Sequence, residues 1–146
     1  MFALIQRVAR AHVEVDGRTV GAIDRGILAL IGVEATDTPE IGARLLQRVL
    51  TYRIFPDDAG KMNLDLQQIG GGLLLVPQFT LAADTRKGTR PSFSSAAPPD
   101  QAKSIFEILL AAAQATHSPV ASGIFGADMQ VHLVNDGPVT FNLHIT

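Results

Sequence analysis

His12, Val13, Glu14 and Val15 alternate polar and apolar, and Asp16-Gly17 follows at once. Alternation with a period of two predicts a half-buried strand, and Asp-Gly predicts a hairpin turn. "RTVGAI" is then the return strand. After a turn at Asp24-Arg25-Gly26, "ILALIGVE" is almost continuously apolar, the pattern of a strand buried on both faces. Thr38-Pro39 opens a helix, with Thr as the cap and Pro at the first helical position. Ile41, Leu45, Val49 and Tyr52 recur on its inner stripe, and Leu46 and Leu50 widen it. "RIF", "PDDAG" and "KMNLDL" predict a short hairpin-like excursion. Gly70-Gly71-Gly72 reads as a flexible connector before "LLLVP", another buried strand. "AADTRKGTRPSFSSAAPP" is a long loop. Asp100 is expected to cap a second helix, with Ala102, Ile105, Phe106, Leu109, Leu110 and Ala113 inward. "ASGIFGADMQVHLV" and "VTFNLHI" are expected to finish the chain as paired strands. The sum is about seven strands and two main helices, an α+β fold with helices packed on mainly antiparallel sheet.

Composition narrows the classes. A chain of 146 residues with 47% apolar and 18% charged residues is globular, and one domain spanning 1–146 is expected. The net charge of −2 advertises no polyanion partner, so any RNA contact must be local. The absence of cysteine excludes disulfides, thiolate metal sites and thiol catalysis. The opening "MFALIQRVARAHVEV" is interrupted by Arg7 and Arg10. It suits neither a signal peptide nor a membrane span, and a cytoplasmic location is expected.

Candidate chemistry is sparse. His12, His132 and His144 fall on the polar sides of predicted strands, and His117 follows a helix. Solvent-facing strand positions are the simpler reading, and no metal-ligand spacing is visible among them. Ser92, Ser94 and Ser95 sit in a loop without a nucleophile elbow. The glycine triplet precedes a strand instead of opening a helix, so no phosphate loop follows. Asp57, Asp58 and Asp65 read as a solvated turn. Two stretches remain. "PQFTLAAD" puts Gln78, Phe79 and Thr80 at a strand terminus, where loops carry function. "NDGPVT" interrupts the last strand with Gly137-Pro138, and its plain reading is a turn.

Together, "VPQFTLAADTRKGTRPSF" and "NDGPVTF", with "ALIQRV" at the start and "YRIF" and "GKMNL" between, resemble the D-aminoacyl-tRNA deacylase family along the whole chain. The resemblance implies a barrel- or sandwich-like core and a homodimer with its active site at the subunit interface. It implies hydrolysis of the ester between a D-amino acid and the terminal adenosine of tRNA, and removal of wrongly charged glycine. The implied partner is the aminoacyl-tRNA 3′ end, with no DNA, membrane, metal or organic cofactor. Gln78, Phe79 and Thr80 would be the catalytic residues. Gly137, Pro138, Val139 and Thr140 would bind substrate through a cis Gly137-Pro138 peptide that reaches into the partner's pocket. Main chain there would hold the α-ammonium and turn away an L side chain. Phe125 would pack on the terminal adenine, or serve only as a core aromatic. Arg7 would brace the Gly-Pro turn, or be an ordinary strand residue. Thr80 could act as nucleophile, but no adjacent base is visible, and positioned water with backbone donors is the preferred route. Arg86, Lys87 and Arg90 are candidates for RNA phosphate contact, with a solvated loop as the alternative. One departure stands out: Pro77 occupies a position where the family usually has Ser, which removes a hydroxyl and an N–H. A non-catalytic module binding tRNA ends or D-amino acids, impaired by Pro77, is therefore the rival reading. An unrelated small-ester hydrolase on the same fold is a third.

Overall fold

The computed structural model describes residues 1–146. In chain order the elements are β1 (Phe2–Val15), β2 (Arg18–Ile23), β3 (Gly26–Gly32), α1 (Pro39–Leu50), β4 (Phe55–Pro56), β5 (Met62–Leu64), α2 (Leu66–Ile69), β6 (Gly72–Pro77), α3 (Pro99–Thr116), β7 (Val120–Ser122) and β8 (Gln130–His144). A 3-10 turn, Phe79–Ala82, follows β6. No helix is long and apolar enough to cross a membrane.

β1 is the spine. One edge pairs antiparallel first with β3, from Phe2 opposite Gly32 to Val8 opposite Gly26, and then with β2, from Ala11 to Val15. Asp16 and Gly17 make the hairpin with φ of 51° and 75°, the positive values that this two-residue turn demands. The other edge of β1 pairs with β8 along nearly its full length. β3 pairs parallel with β6, and β6 parallel with β7. β2 curls over to meet β7. A Cβ on Gly21 would strike the Ser122 carbonyl, so only glycine permits that approach. The mixed sheet is thereby nearly closed and barrel-like, as the family resemblance implies, with helices packed on it as the α+β reading expects.

Both faces of β3 and β6 are buried, which explains their unbroken apolar runs. Ile27, Ala29, Ile31, Leu73 and Leu75 face the helices α1 and α3 in the larger core cluster. Leu28, Leu74 and Val76 turn the other way, into the barrel, against Val8, Ala11, Val13 and Ile23. Each fully buried Leu or Val of this kind stabilises by about 1.5–3 kcal/mol. α1 starts as its sequence predicts: Thr38 Oγ1 accepts from Ile41 N–H at 3.4 Å, with Pro39 opening the helix.

Four expectations need correction. The two C-terminal segments do not pair with each other: Ala121 and Ser122 belong to β7 beside β6, while Gln130–Val134 and the last segment form one strand, β8, paired with β1. Periodicity alone could not tell a hairpin from one interrupted strand. Asp100 lies in the first turn of α3, and the cap position is Pro98, which makes no side-chain bond. Asp65, read as part of a strand-and-turn segment, caps the short helix α2. It accepts from Gln68 N–H at 2.8 Å while Gln68 Oε1 accepts from Asp65 N–H at 2.8 Å. The glycine triplet is no loose connector. Gly70 ends α2 in the left-handed conformation (φ 61°), and Gly71 and Gly72 are buried, with a Cβ on Gly72 only 2.8 Å from that of Ile23.

A buried charge cluster ties the first strand to the loop before α1. The Met1 ammonium donates to Asp37 Oδ1 at 2.8 Å, Glu34 Oε2 at 2.7 Å and Ile145 O at 2.8 Å. Asp37 Oδ2 also accepts from Glu34 N–H at 2.7 Å. Burial pushes the Glu34 carboxyl up, but hydrogen bonds from the ammonium and His144 outweigh it and hold the group below its ordinary value. A depressed carboxyl stabilises the fold above its unfolded value and loses that contribution as pH falls through the folded one. Stability should therefore drop on the acid side of 4.5, the ordinary Glu34 value. Asp37→Ala leaves part of a buried ammonium unpaired and is expected to destabilise by roughly 3 kcal/mol, the scale for breaking a buried pair. Urea unfolding at neutral pH measures it.

Candidate functional site

β6 ends at Pro77, and the chain turns at once into Gln78 and the 3-10 turn. Pro77 does not end the ladder early. Gln78 N–H still donates to Ile31 O at 2.7 Å, closing the β3–β6 ladder just past its last pair, Ile31 opposite Pro77. Gly32 makes room for the turn, since a Cβ there would stand 2.8 Å from Leu81 Cβ and 3.2 Å from Gln78 O. Phe79 is 57% exposed and tilts against Phe93, with ring centroids 5.2 Å apart. Gln78 Nε2 donates to Thr80 Oγ1 at 2.6 Å. No histidine or carboxylate hydrogen-bonds that hydroxyl. A helical turn leaves its leading N–H groups without partners inside it. Here those are the groups of Phe79 and Thr80.

Beside the turn opens a cleft of about 470 Å³, walled by Pro77, Gln78, Phe79, Phe125, Asp128 and Met129 among others. It is mostly apolar and holds no histidine. Phe125 belongs to both environments: it lines the cleft, and its other side packs on the core beside Phe106, ring centroids 6.4 Å apart. Gln78, Phe79 and Phe125 thus share one cavity, with Thr80 bonded at its edge. Asp128 and Met129 were not singled out from the sequence, because the turn before β8 carries no motif that marks them. Gly32 was missed for a similar reason, its role being visible only once β3 lies under the turn.

Gly137 and Pro138 lie elsewhere. The β1–β8 register jumps between Gln6 opposite Thr140 and Val8 opposite Asn135, so the intervening residues of β8 bulge out of the ladder. Gly137 and Pro138 form the exposed part of that bulge, and their peptide bond is cis. Side chains fix its base. Asn135 Nδ2 donates to Arg7 O at 3.0 Å and to Val139 O at 3.1 Å. Arg7 Nε donates to Asp136 O at 2.8 Å, and Nη1 donates to Ile54 O at 2.7 Å. Val139 is buried in the core, and Thr140 Oγ1 accepts from Gln6 Nε2 at 3.1 Å. None of Arg7 or residues 137–140 lines the cleft of their own chain.

Arg86, Lys87 and Arg90 sit in a hairpin-like loop closed by paired bonds between Asp84 and Ser92. With these two residues they line a polar recess. Arg86 is not a free charge. Its guanidinium grips both Asp84 oxygens, at 2.9 and 2.6 Å, and this holds the Asp84 carboxyl down at about 2. Lys87 and Arg90 make no ion pair.

A family model described as D-Tyr-tRNA(Tyr) deacylase matches residues 4–144. A protein of Pseudomonas entomophila (strain L48) called D-aminoacyl-tRNA deacylase is 65% identical over 145 residues, covering 99% of this chain and 100% of that one. Another of that name, from Teredinibacter turnerae, is 63% identical over 143 residues, covering 98% and 99%. Among solved structures, one called c-Myc DNA Unwinding Element Binding Protein superposes with a TM-score of 0.94 at 39% identity, covering 99% and 98% of the two chains. A probable eukaryotic D-amino acid tRNA deacylase shares the fold, with a TM-score of 0.84 at 17% identity and 97% of each chain covered. A match running almost end to end, over the turn at Gln78–Thr80 and the bulge at Gly137-Pro138 alike, means that this chain belongs to the D-Tyr-tRNA(Tyr) deacylase family.

Proposed function

We propose that this chain hydrolyses the ester linking a D-amino acid to the terminal adenosine of tRNA, and that it does so as a homodimer. The carrying observation is the exposed Gln78–Thr80 turn at the mouth of an apolar cleft, in a chain 65% identical to a protein bearing the deacylase name. The adenine would lie in the cleft against Phe125. The ester carbonyl would then meet the N–H groups of Phe79 and Thr80, which stabilise the oxyanion as water adds. The 3′ oxygen leaves and takes a proton, which the adjacent 2′ hydroxyl can relay. That route suits a Thr80 hydroxyl with no base beside it.

The place of the bulge outside its own cleft supports the dimer. The Gly137-Pro138 bulge projects from its own subunit without lining its own cleft, so a two-fold partner can insert it there. Main-chain carbonyls of the bulge would hold the α-ammonium. An L side chain would collide with backbone, whereas a D side chain would point away, so choice of hand would not depend on side-chain identity. Glycine, lacking a side chain, would pass, and glycyl-tRNA would be cleaved as well.

The deciding experiment follows ester loss from D-Tyr-tRNA, L-Tyr-tRNA and glycyl-tRNA. The first and third should be cleaved and the second should persist. Binding without turnover would instead establish the rival reading in which Pro77 has disabled the site. Thr80→Ala keeps the backbone N–H and removes only the bond from Gln78, so the rate should fall by less than about 10²-fold, the scale for losing an oxyanion contact outright. A trapped aminoacyl-Thr80 adduct would refute the water route.

Gly137→Ala tests the bulge. Its Cβ would stand 2.5 Å from Asn135 Oδ1 and 2.7 Å from Val139 N, so the main chain must shift. Activity on D-Tyr-tRNA should fall by about 10²-fold, the cost of misplacing a site by 1 Å. Unchanged activity would remove the bulge from the site.

For RNA contact, Lys87 and Arg90 are the available charges, and Arg86 is neutralised by Asp84. The depressed Asp84 carboxyl keeps this pair intact above its ordinary value of 3.8, and the pair dissolves only as pH falls through about 2. Lys87→Glu with Arg90→Glu should weaken tRNA binding more than Arg86→Ala does, without altering the D-over-L ratio. The salt slope should be shallow, about −0.7 per single-strand phosphate neutralised. Filter binding at several salt concentrations reads both effects.

A further inference from the structure

Three potential metal ligands converge on the outer face of the β1–β8 ladder. His12 and His132 are direct cross-strand partners, and their rings stack with centroids 4.3 Å apart and planes within 4°. Glu14 lies two residues along β1, hence on the same face. Its carboxylate spans both rings, with Oε1 at 3.1 Å from His12 Nε2 and Oε2 at 3.6 Å from His132 Nε2. The three ligand atoms all lie within 4.8 Å of one another.

We propose that His12, His132 and Glu14 form a binding site for a divalent transition-metal ion of the zinc class. Two imidazoles with one carboxylate suit zinc, nickel or copper and are poor company for magnesium. Zinc–nitrogen bonds of about 2.0–2.1 Å at a tetrahedral angle need donor atoms about 3.4 Å apart, and the two rings must open out of their parallel stack so that their in-plane lone pairs converge on the ion. All three side chains reach solvent, which gives the ion entry and leaves its fourth position to water. Gln130, opposite Glu14, is the neighbouring neutral side chain on β8. Arg10, opposite Val134 beyond the His pair, supplies a positive charge that limits affinity.

The site is separate from the cleft but mechanically joined to it. Val131 and Met129 line the cleft, and His132 follows Val131 on the opposite face of β8. A bound ion would staple β8 to β1 across the ladder, on the same strand that carries the Gly137-Pro138 bulge. Its primary effect is on the anchoring of that strand.

The test is calorimetric titration of the whole protein with Zn2+ alone, alongside thermal unfolding with Zn2+, Mg2+ or chelator. One Zn2+ per chain should bind, and the midpoint should rise with Zn2+ as binding to the native state requires, while Mg2+ does nothing. His132→Ala should weaken Zn2+ binding by about tenfold or more, since even an outer-sphere partner is worth that much. Glu14→Gln should also weaken it. Both variants change exposed or half-exposed residues, and their chelator-treated midpoints report whether they fold. His144→Ala removes the His144–Glu34 pair at 2.7 Å and is the control for binding at another histidine. Zn2+ affinity that survives His132→Ala, or falls only in His144→Ala, overturns the proposal, as does the absence of binding to the unmodified protein.

Discussion

Everything in this fold hangs on β1 having two edges and using both along its length. One edge carries β3 and then β2, and the other carries β8. Hydrogen-bonding groups on a strand must be satisfied somewhere, and here three partners share that task. Because β3 and β2 follow one another on the same edge, β1 has to bend between them, and its inward side chains pass from one core cluster to the other. Ala3 and Ile5 belong to the layer under the helices, whereas Val8, Ala11 and Val13 belong inside the barrel. The register breaks in the β1–β8 ladder sit in that same region. A bulge increases local bend and twist, so the break that lets the sheet curl also lifts Gly137-Pro138 out of it.

Side-chain bonds then make the lifted segment definite. Asn135 grips both strands at the base, and Arg7 holds the Asp136 carbonyl while tying itself to Ile54. The 3-10 turn after β6 is fixed differently, by close packing on Gly32 and by the Gln78–Thr80 bond. The bulge is thus held by polar contacts on an edge strand and the turn by apposition to the central sheet.

Much of this was legible in the sequence wherever one periodicity acted alone. The hairpin at Asp16-Gly17, the start of α1 at Thr38-Pro39 and the doubly buried strands β3 and β6 needed only local rules. Two failures were local, the caps of α2 and α3, where Asp65 and Pro98 took positions that the helix pattern did not mark; the others depended on a partner far along the chain. β8 looked like two strands because Gly-Pro usually ends one, and nothing local shows that β1 continues opposite both halves. The glycine triplet looked flexible because its crowding comes from Ile23 and Leu66. His12 and His132 looked like unrelated surface residues until the register put them face to face. The cleft residues Gln78, Phe79 and Phe125 were reached by resemblance, which carries long-range information that periodicity lacks. Asp128 and Met129, outside any motif, were not.

The β1–β8 ladder also sets a timetable. β1 precedes every other element described, yet β8, the strand that covers its second edge, follows all of them. Pairs such as Phe2 with His144 have a sequence separation that makes them slow to form, because the loop between them must close before they contribute. During synthesis β1 can hairpin with β2 and add β3, but it must keep one edge bare until β8 has emerged. An unpaired edge is a template for association. The nascent chain therefore carries a bare, association-prone edge until β8 has been made.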